Sequence, residues 1–117
     1  MTVQHDKSSK EIKFQPAQTA DAAALVDYQS GSIVSREILK GANGRVVFFA
    51  FDEGEALSEH TSPFNALVQV LEGEVDITVS GKPHRVKAGE LILMPAGQPH
   101  ALKATRRFKM ILTMIRP

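Results

Sequence analysis

The stretch GELILMPAGQPH, residues 89–100, joins a short apolar run to a turn that ends in a histidine. Leu91–Met94 has the length and composition of one β-strand, and the PAGQP segment that follows, residues 95–99, has the residues of a turn. His100 then begins another short run, residues 100–104. This stretch therefore predicts an imidazole at the mouth of a strand, directly after a turn that carries glycine and proline.

A second stretch, SEHTSPFNALVQVLEGEVDI, residues 58–77, also begins with a histidine and runs into a strand. Ser62 follows His60 by two positions, which places both side chains on one face of an extended chain. Ala66–Leu71 predicts a strand, and residues 72–73 (Glu-Gly) predict a tight turn after it. His60 is thus a second candidate for an imidazole at a strand end.

Short strands at regular spacing extend outward from these two stretches. They are predicted over residues 32–39, 46–51, 66–71, 74–79, 84–87, 91–94, 100–104 and 108–115. Turn residues separate them, and the spacing is typical of a sandwich or barrel. The order of strands and turns favours an all-β fold, an antiparallel barrel with a jelly-roll path.

The N-terminal part of the chain has a different pattern. Residues 1–11 are polar and predict a tail. Residues 19–28 (TADAAALVDY) predict one short helix, with Thr19 or Asp21 as its cap. We therefore expect an N-terminal tail and helix over residues 1–30, followed by one barrel over residues 31–117.

Composition limits the function classes. The chain of 117 residues carries 14 basic and 13 acidic residues, so its charge gives no reason to expect nucleic acid or an anionic membrane as a partner. It has no cysteine, which excludes thiolate catalysis and cysteine-built metal sites. No stretch approaches the about 20 apolar residues that span a bilayer. A soluble cytoplasmic protein is expected.

The two histidine stretches together resemble the cupin superfamily. Gly89 to His100 matches the whole second cupin motif, a glycine, five residues, proline, any residue, glycine, two residues and histidine. The first motif is matched by Gly54, five residues, His60 and the closing Gly73. The resemblance covers about residues 45–115 and is similar to small single-domain cupins, whose fold is a double-stranded β-helix.

The resemblance also implies a metal site that this sequence does not complete. Metal-binding cupins typically use three histidines and one glutamate, and His60 and His100 match the first and last of these ligands. The second histidine falls on Ser62 and the glutamate falls on Ala66. Strand alternation turns Asn65 away from the face of Ala66. With two ligands missing, we expect no cofactor, and a divalent metal held by His60 and His100 is the alternative.

Three functions remain open on these residues. The first is a small-molecule-binding barrel in which His60, Ser62 and His100 orient a ligand at the mouth. Its pocket floor is expected to consist of Ala66, Val68, Met110 and Leu112. The second is a metal-dependent enzyme, an oxygenase or isomerase, that uses the two histidines. The third is a structural or regulatory dimer without a ligand. The sequence identifies no second catalytic group beside the histidines.

Several strands are apolar on both faces, including residues 46–51, 67–71, 91–94 and 110–115. One barrel interior covers only one face of each strand, so a second covering surface is required. The N-terminal helix or a second subunit can supply it. Single-domain cupins commonly pair through such faces, and both observations predict a homodimer.

Overall fold

The computed structural model describes residues 13–117 and the backbone of residues 3–4. Its elements are β1 (Val3–Gln4), a 3₁₀ helix (Ala22–Leu25), β2 (Ile33–Gly41), β3 (Gly44–Phe51), β4 (Ala56–His60), β5 (Asn65–Glu72), β6 (Glu74–Val79), β7 (Lys82–Lys87), β8 (Leu91–Met94), β9 (His100–Lys103) and β10 (Phe108–Ile115). Each predicted strand is present, with ends within two residues of those expected. The fold is all-β, as predicted.

Two strands were not predicted. β4 carries the short sequence ALSEH, whose apolar alternation is too weak to mark a strand. β1 lies within the expected tail, where its backbone pairs in parallel with β2. The remainder of residues 1–12, including His5, lies outside the described residues.

The strands form two sheets that pack face to face. One sheet has six strands in the order β1-β2-β3-β10-β5-β8, and the other has four in the order β4-β9-β6-β7. From β3 onward the chain changes sheet at every connection except β6 to β7, which is the predicted jelly-roll path. β5 shows the expected alternation, because Ala66, Val68 and Val70 are buried while the residues between them are partly exposed.

The main core lies between the two sheets. The aromatic rings of Phe51 and Phe108 are fully buried there, with centroids 4.6 Å apart. Val68, Ile77 and Met110 belong to the same cluster. Burial of side chains of this size is the main stabilising term for a domain of this length. The space between the two sheets is therefore a packed core.

A second apolar cluster covers part of the outer face of the six-stranded sheet. Leu25 and Val26, from the N-terminal segment, pack there against Val34, Phe48 and Ala50. The N-terminal segment is thus one of the covering surfaces that strands with two apolar faces require.

The expected helix over residues 19–28 is wrong in length and type. Only Ala22–Leu25 is helical, as a single 3₁₀ turn capped by Asp21, whose side chain accepts a hydrogen bond from the Ala23 amide. Val26 is already extended, with φ −143° and ψ 137°. Consecutive burial of Leu25 and Val26 against the sheet explains the difference, because tertiary packing overrides weak helix propensity. No helix in the described part of the chain has the length and apolar character to cross a membrane.

Candidate functional site at the barrel mouth

Two histidines face each other at one end of the barrel. His60 ends β4 and His100 begins β9, and the two are cross-strand partners. Their ring centroids lie 4.4 Å apart, with the ring planes at 69°. His100 also pairs with Val79, whose side chain packs against the main core, so both imidazoles lie on the inner face. The predicted pairing of these two histidines is present.

The backbone fixes which nitrogen of each ring carries the proton. Nδ1 of His60 is 2.8 Å from the carbonyl oxygen of Ser58, and Nδ1 of His100 is 3.3 Å from that of Gln98. A carbonyl oxygen only accepts hydrogen bonds, so each Nδ1 is the donor. In the neutral rings, both Nε2 atoms therefore keep a lone pair for a ligand.

The two rings differ in their exposure to water. His100 is 5% exposed, whereas His60 is an exposed residue. Burial lowers the pKa of His100, the neighbouring His60 lowers it further, and the Gln98 carbonyl opposes the shift in part. The inner imidazole is thus held neutral, as a hydrogen-bond acceptor at Nε2, near neutral pH.

Ser62 lies just beyond β4 and is partly buried. Its Oγ accepts a hydrogen bond from the Phe64 amide at 3.1 Å, and its carbonyl accepts one from the Gly97 amide at 2.8 Å. The second contact ties residues 58–77, the stretch of His60, to the turn at residues 95–99 that precedes His100. A serine hydroxyl that accepts from the backbone still has its own hydrogen to donate.

The position where the resemblance implies a glutamate holds the methyl group of Ala66, which is 3% exposed on the inner face. Asn65 points away from it, as predicted, and its Oδ1 accepts a hydrogen bond from the Ala96 amide at 2.9 Å. The only acceptor oxygen of that amide group is therefore engaged in holding the turn. It does not replace the missing ligand.

The residues present do not fit a tightly bound metal ion. The described residues include no group of three or more histidine, cysteine, aspartate or glutamate side chains that would hold one. Two imidazole nitrogens and a neutral hydroxyl fall short of the three or more protein ligands of a stable divalent site.

The expected floor residues lie at increasing depth below the histidines. Ala66 pairs with Met94 and Met114, Val68 pairs with Leu112, and Met110 pairs with Val70. Val68 and Met110 are 0% and 1% exposed, so they form the base of the core, whereas Leu112 is partly buried.

The structure adds residues at the rim that sequence reasoning missed. The turn between β2 and β3 carries Lys40 and Arg45 as a cross-strand pair, and Phe64 lies across a small cavity from them. Their signal in the sequence was weak. Arg45 is the first charged residue after the turn sequence GANG, residues 41–44, and its orientation toward the barrel interior is known only from its pairing with β10.

A larger open groove of about 740 Å³ lies elsewhere, on the outer face of the four-stranded sheet. Small side chains such as Ala101 and Thr78 form its floor, and Lys103, His84 and Arg85 flank it. The Arg85 guanidinium is already paired with Asp76, with Nε 3.0 Å from Oδ1. This groove is separated from the histidine pair by the sheet itself.

Comparison with known proteins identifies the family of this chain. The sequence profile of the Cupin domain family matches residues 47–116, which include both histidine stretches. The chain belongs to the cupin family. A search of curated proteins finds no match.

Several solved structures are similar to this cupin. A conserved protein of unknown function from Streptococcus pyogenes is 31% identical, with a TM-score of 0.85, and the match covers 96% of this chain and 98% of that one. A cupin 2 conserved barrel domain protein from Leptotrichia buccalis is 44% identical, with a TM-score of 0.77 over 80% of this chain, and the match spans 45% of its length.

A more distant structure shares the fold alone. Salicylate 1,2-dioxygenase from Pseudaminobacter salicylatoxidans is 16% identical, with a TM-score of 0.66, and the match covers 71% of this chain and 26% of that one.

Proposed function

We propose that this cupin binds a small molecule at the barrel mouth through its histidine pair, without a resident metal ion. The observation that carries the proposal is the joint orientation of His60 and His100. Each ring donates from Nδ1 to a backbone carbonyl, and the two stand 4.4 Å apart at the same barrel end. Held in this way, the imidazoles are rigid and pre-organised for a ligand.

The three polar groups at the mouth have complementary roles. The buried Nε2 of His100 accepts a hydrogen bond from a ligand hydroxyl or amide. The exposed ring of His60 accepts when neutral and donates when protonated, so it serves a polar or an anionic group. Ser62 donates from its hydroxyl. Ala66 and Leu112 supply apolar contact below them, as small-molecule sites require.

A metal-dependent oxygenase or isomerase is the second candidate, and one observation favours it. Metal-ligating histidines usually donate their other ring nitrogen to a carbonyl or carboxylate, and both Nδ1 atoms do so here. The missing glutamate and histidine count against it. A structural or regulatory dimer that binds no ligand is the third candidate.

The decisive experiment is elemental analysis of untagged protein purified without chelator, followed by thermal-shift screening against a metabolite collection. We expect substoichiometric metal, and stabilisation by a metabolite that is lost in His60→Ala and His100→Ala. His84→Ala is the matched control, since His84 is an exposed histidine on β7. Near-stoichiometric metal that is lost in His60→Ala would establish the second candidate. Absence of any stabilising metabolite would support the third.

We further propose that the protein is a homodimer. The two copies pair through the part of the outer face of the six-stranded sheet that the N-terminal segment does not cover. Cross-strand neighbours Leu39, Val46, Thr113, Leu67 and Leu93 form a row without charge across five strands. Leu91 and Leu93, on the edge strand β8, are 59% and 57% exposed. A second copy presents the same uncharged row, so the two bury each other without unpaired charges.

Light scattering at micromolar concentration tests this assembly. We expect a dimer mass for the wild type and a monomer mass for Leu93→Lys, because the lysine would be buried without a partner. His84→Lys adds the same charge to the opposite sheet and should leave the dimer intact. A wild-type monomer would contradict the proposal. The cytoplasmic location expected from the cysteine-free sequence stays a prediction.

A further inference from the structure

The rim of the barrel mouth beside the β2–β3 turn is basic. Two cavities, of about 250 and 400 Å³, lie on either side of this turn, and Lys40 and Arg45 line both of them. No acidic side chain lines either cavity. The smaller cavity also contacts glycine backbone and the ring of Phe64. An anion placed there meets the positive charges of Lys40 and Arg45, and the nearby negative charge is that of Glu37, which is paired with Arg45.

Arg45 projects from the inner face of the barrel. It pairs with Met114 on β10, and Met114 pairs with Ala66, whose side chain lies in the main core. Residues opposite each other in a sheet project from the same face. The start of β3 and the end of β4 lie at the same end of the barrel, because the two strands are consecutive and joined by a short turn at the other end. Arg45 therefore lies on the same rim as His60.

The guanidinium of Arg45 forms a long, exposed ion pair. Its Nη1 is 3.7 Å from Oε2 of Glu37, and the two side chains are 44% and 36% exposed. Exposed ion pairs at this distance add little to stability, so a ligand carboxylate can take the place of Glu37 at small cost. The fork of an arginine matches a carboxylate with two parallel hydrogen bonds.

Phe64 forms the apolar wall of the same cavity. Its ring is partly buried and carries the guanidinium of Arg116 over one face, with Cζ 5.2 Å from the centroid. The Ser62 hydroxyl accepts from the Phe64 amide and so fixes the backbone at that position. A flat apolar group stacks or packs well against such a ring.

We propose that Arg45, Lys40 and Phe64 form a subsite for an aromatic carboxylic acid, with the carboxylate on the two cations and the ring against Phe64. This inference rests on the proposed function, because the subsite opens on the same mouth as the histidine pair. It assigns the ligand a chemical class: a planar monoanion small enough for a cavity of about 250 Å³.

The test is an NMR titration of ¹⁵N-labelled protein with sodium benzoate, and with benzamide as the uncharged analogue of the same shape. We expect benzoate to shift the amides of Gly44, Arg45 and Phe64 and to bind more tightly than benzamide. Arg45→Gln should weaken benzoate binding about tenfold, as loss of a charge-assisted hydrogen bond implies. Arg85→Gln, in the outer groove, is the matched control and should change nothing.

Three results would overturn the subsite: equal benzoate affinity in wild type and Arg45→Gln, shifts confined to the outer groove, or no binding at about 10 mM, where even millimolar affinity would show. His60→Ala separates this inference from the proposed function. If His60→Ala abolishes binding of both probes and Arg45→Gln has no effect, the subsite is wrong and the histidine site stands. If only Arg45→Gln weakens benzoate binding, the subsite stands and the histidine pair is not its partner.

Discussion

His100 is buried while His60, its cross-strand partner, is exposed, although their ring centroids are only 4.4 Å apart. The barrel thus presents one imidazole to water and holds the other at the edge of its core. Burial, followed by the charge of His60, lowers the pKa of the inner ring below its ordinary value. The pair is therefore asymmetric in its response to pH.

We expect this asymmetry to make the protein less stable in mild acid. In the unfolded chain His100 titrates at about 6.5, and in the folded chain it titrates lower, so below about pH 6.5 the unfolded state binds more protons. The contribution of His100 to the free energy of unfolding is fully present above that pH. It decreases as the pH falls toward the folded pKa, by at most about 1.4 kcal/mol per pH unit. Urea unfolding between about pH 7.5 and 5.5 measures it.

His100→Gln should reduce the dependence of unfolding free energy on pH over this range, whereas His84→Gln, on the exposed strand β7, should leave it unchanged. An identical pH profile for His100→Gln and the wild type would contradict the assigned direction of the pKa shift. An NMR titration of the ring protons gives an independent reading, with a midpoint for His100 below about 6.5.

Ala66→Glu should create metal affinity at the barrel mouth. The new carboxylate would project from the inner face toward the two Nε2 atoms and supply a third ligand, with Ser62→His as a fourth. Without metal, the buried carboxylate should lower the free energy of unfolding by about 1–3 kcal/mol. Calorimetric titration with zinc or manganese measures the gain, and added metal should restore the lost stability.

Leu67→Glu is the matched control for this gain. Leu67 follows Ala66 but projects from the outer face of β5, where its partners are Thr113 and Leu93. The same carboxylate placed there should add no metal affinity. If Ala66→Glu binds no more metal than Leu67→Glu, the geometry inferred for the histidine pair is wrong.

The strand pattern could be predicted because it is a local signal, whereas the pairing of His60 with the distant His100 was predicted from the resemblance to the two cupin motifs. Alternation on β5 and β6, and turns such as residues 95–99, appear directly in the chain. β4 was missed because ALSEH has no apolar alternation and is held by its pairing with β9. The register of β3 against β10, which turns Arg45 inward, depends on residues more than 60 positions apart, so the rim subsite could not be read from the sequence.

Gly73→Ala should be strongly destabilising because two costs combine at this position. The backbone has φ +74°, where a side chain is strained by about 1–2 kcal/mol. A Cβ atom would also overlap the carbonyl oxygen of Arg107, which is backbone and has little freedom to move. We expect a loss of about 3 kcal/mol or more in urea unfolding, since the clash adds to the strain.

Gly81→Ala separates these two costs. Gly81 has φ +80°, but a Cβ atom there meets no atom within 4 Å. Only the strain should remain, about 1–2 kcal/mol. Equal losses for the two variants would show that the contact between the β5–β6 turn and Arg107 is not close in solution.

Tyr28 anchors the N-terminal segment to the outer face of the six-stranded sheet. Its hydroxyl donates to Oε1 of Glu72 at 2.7 Å, and the guanidinium of Arg107 lies over its ring, with Cζ 4.1 Å from the centroid. Lys109 donates from Nζ to the Ala23 carbonyl of the same segment at 2.6 Å. Burial, then the hydrogen bond to Glu72, raises the pKa of Tyr28, so the hydroxyl keeps its proton.

Tyr28→Phe keeps the ring and removes the hydrogen bond, and we expect it to cost about 1–2 kcal/mol, since Glu72 is charged. Tyr28→Ala also removes the ring from the cations, so it should cost more and raise hydrogen exchange locally at residues 22–28, because Leu25 and Val26 lose their cover. Gln29→Ala, at an exposed neighbour, is the control and should alter neither measurement. If exchange in Tyr28→Ala rises uniformly across the barrel instead, the segment unfolds only together with the sheet and is not a separable cover.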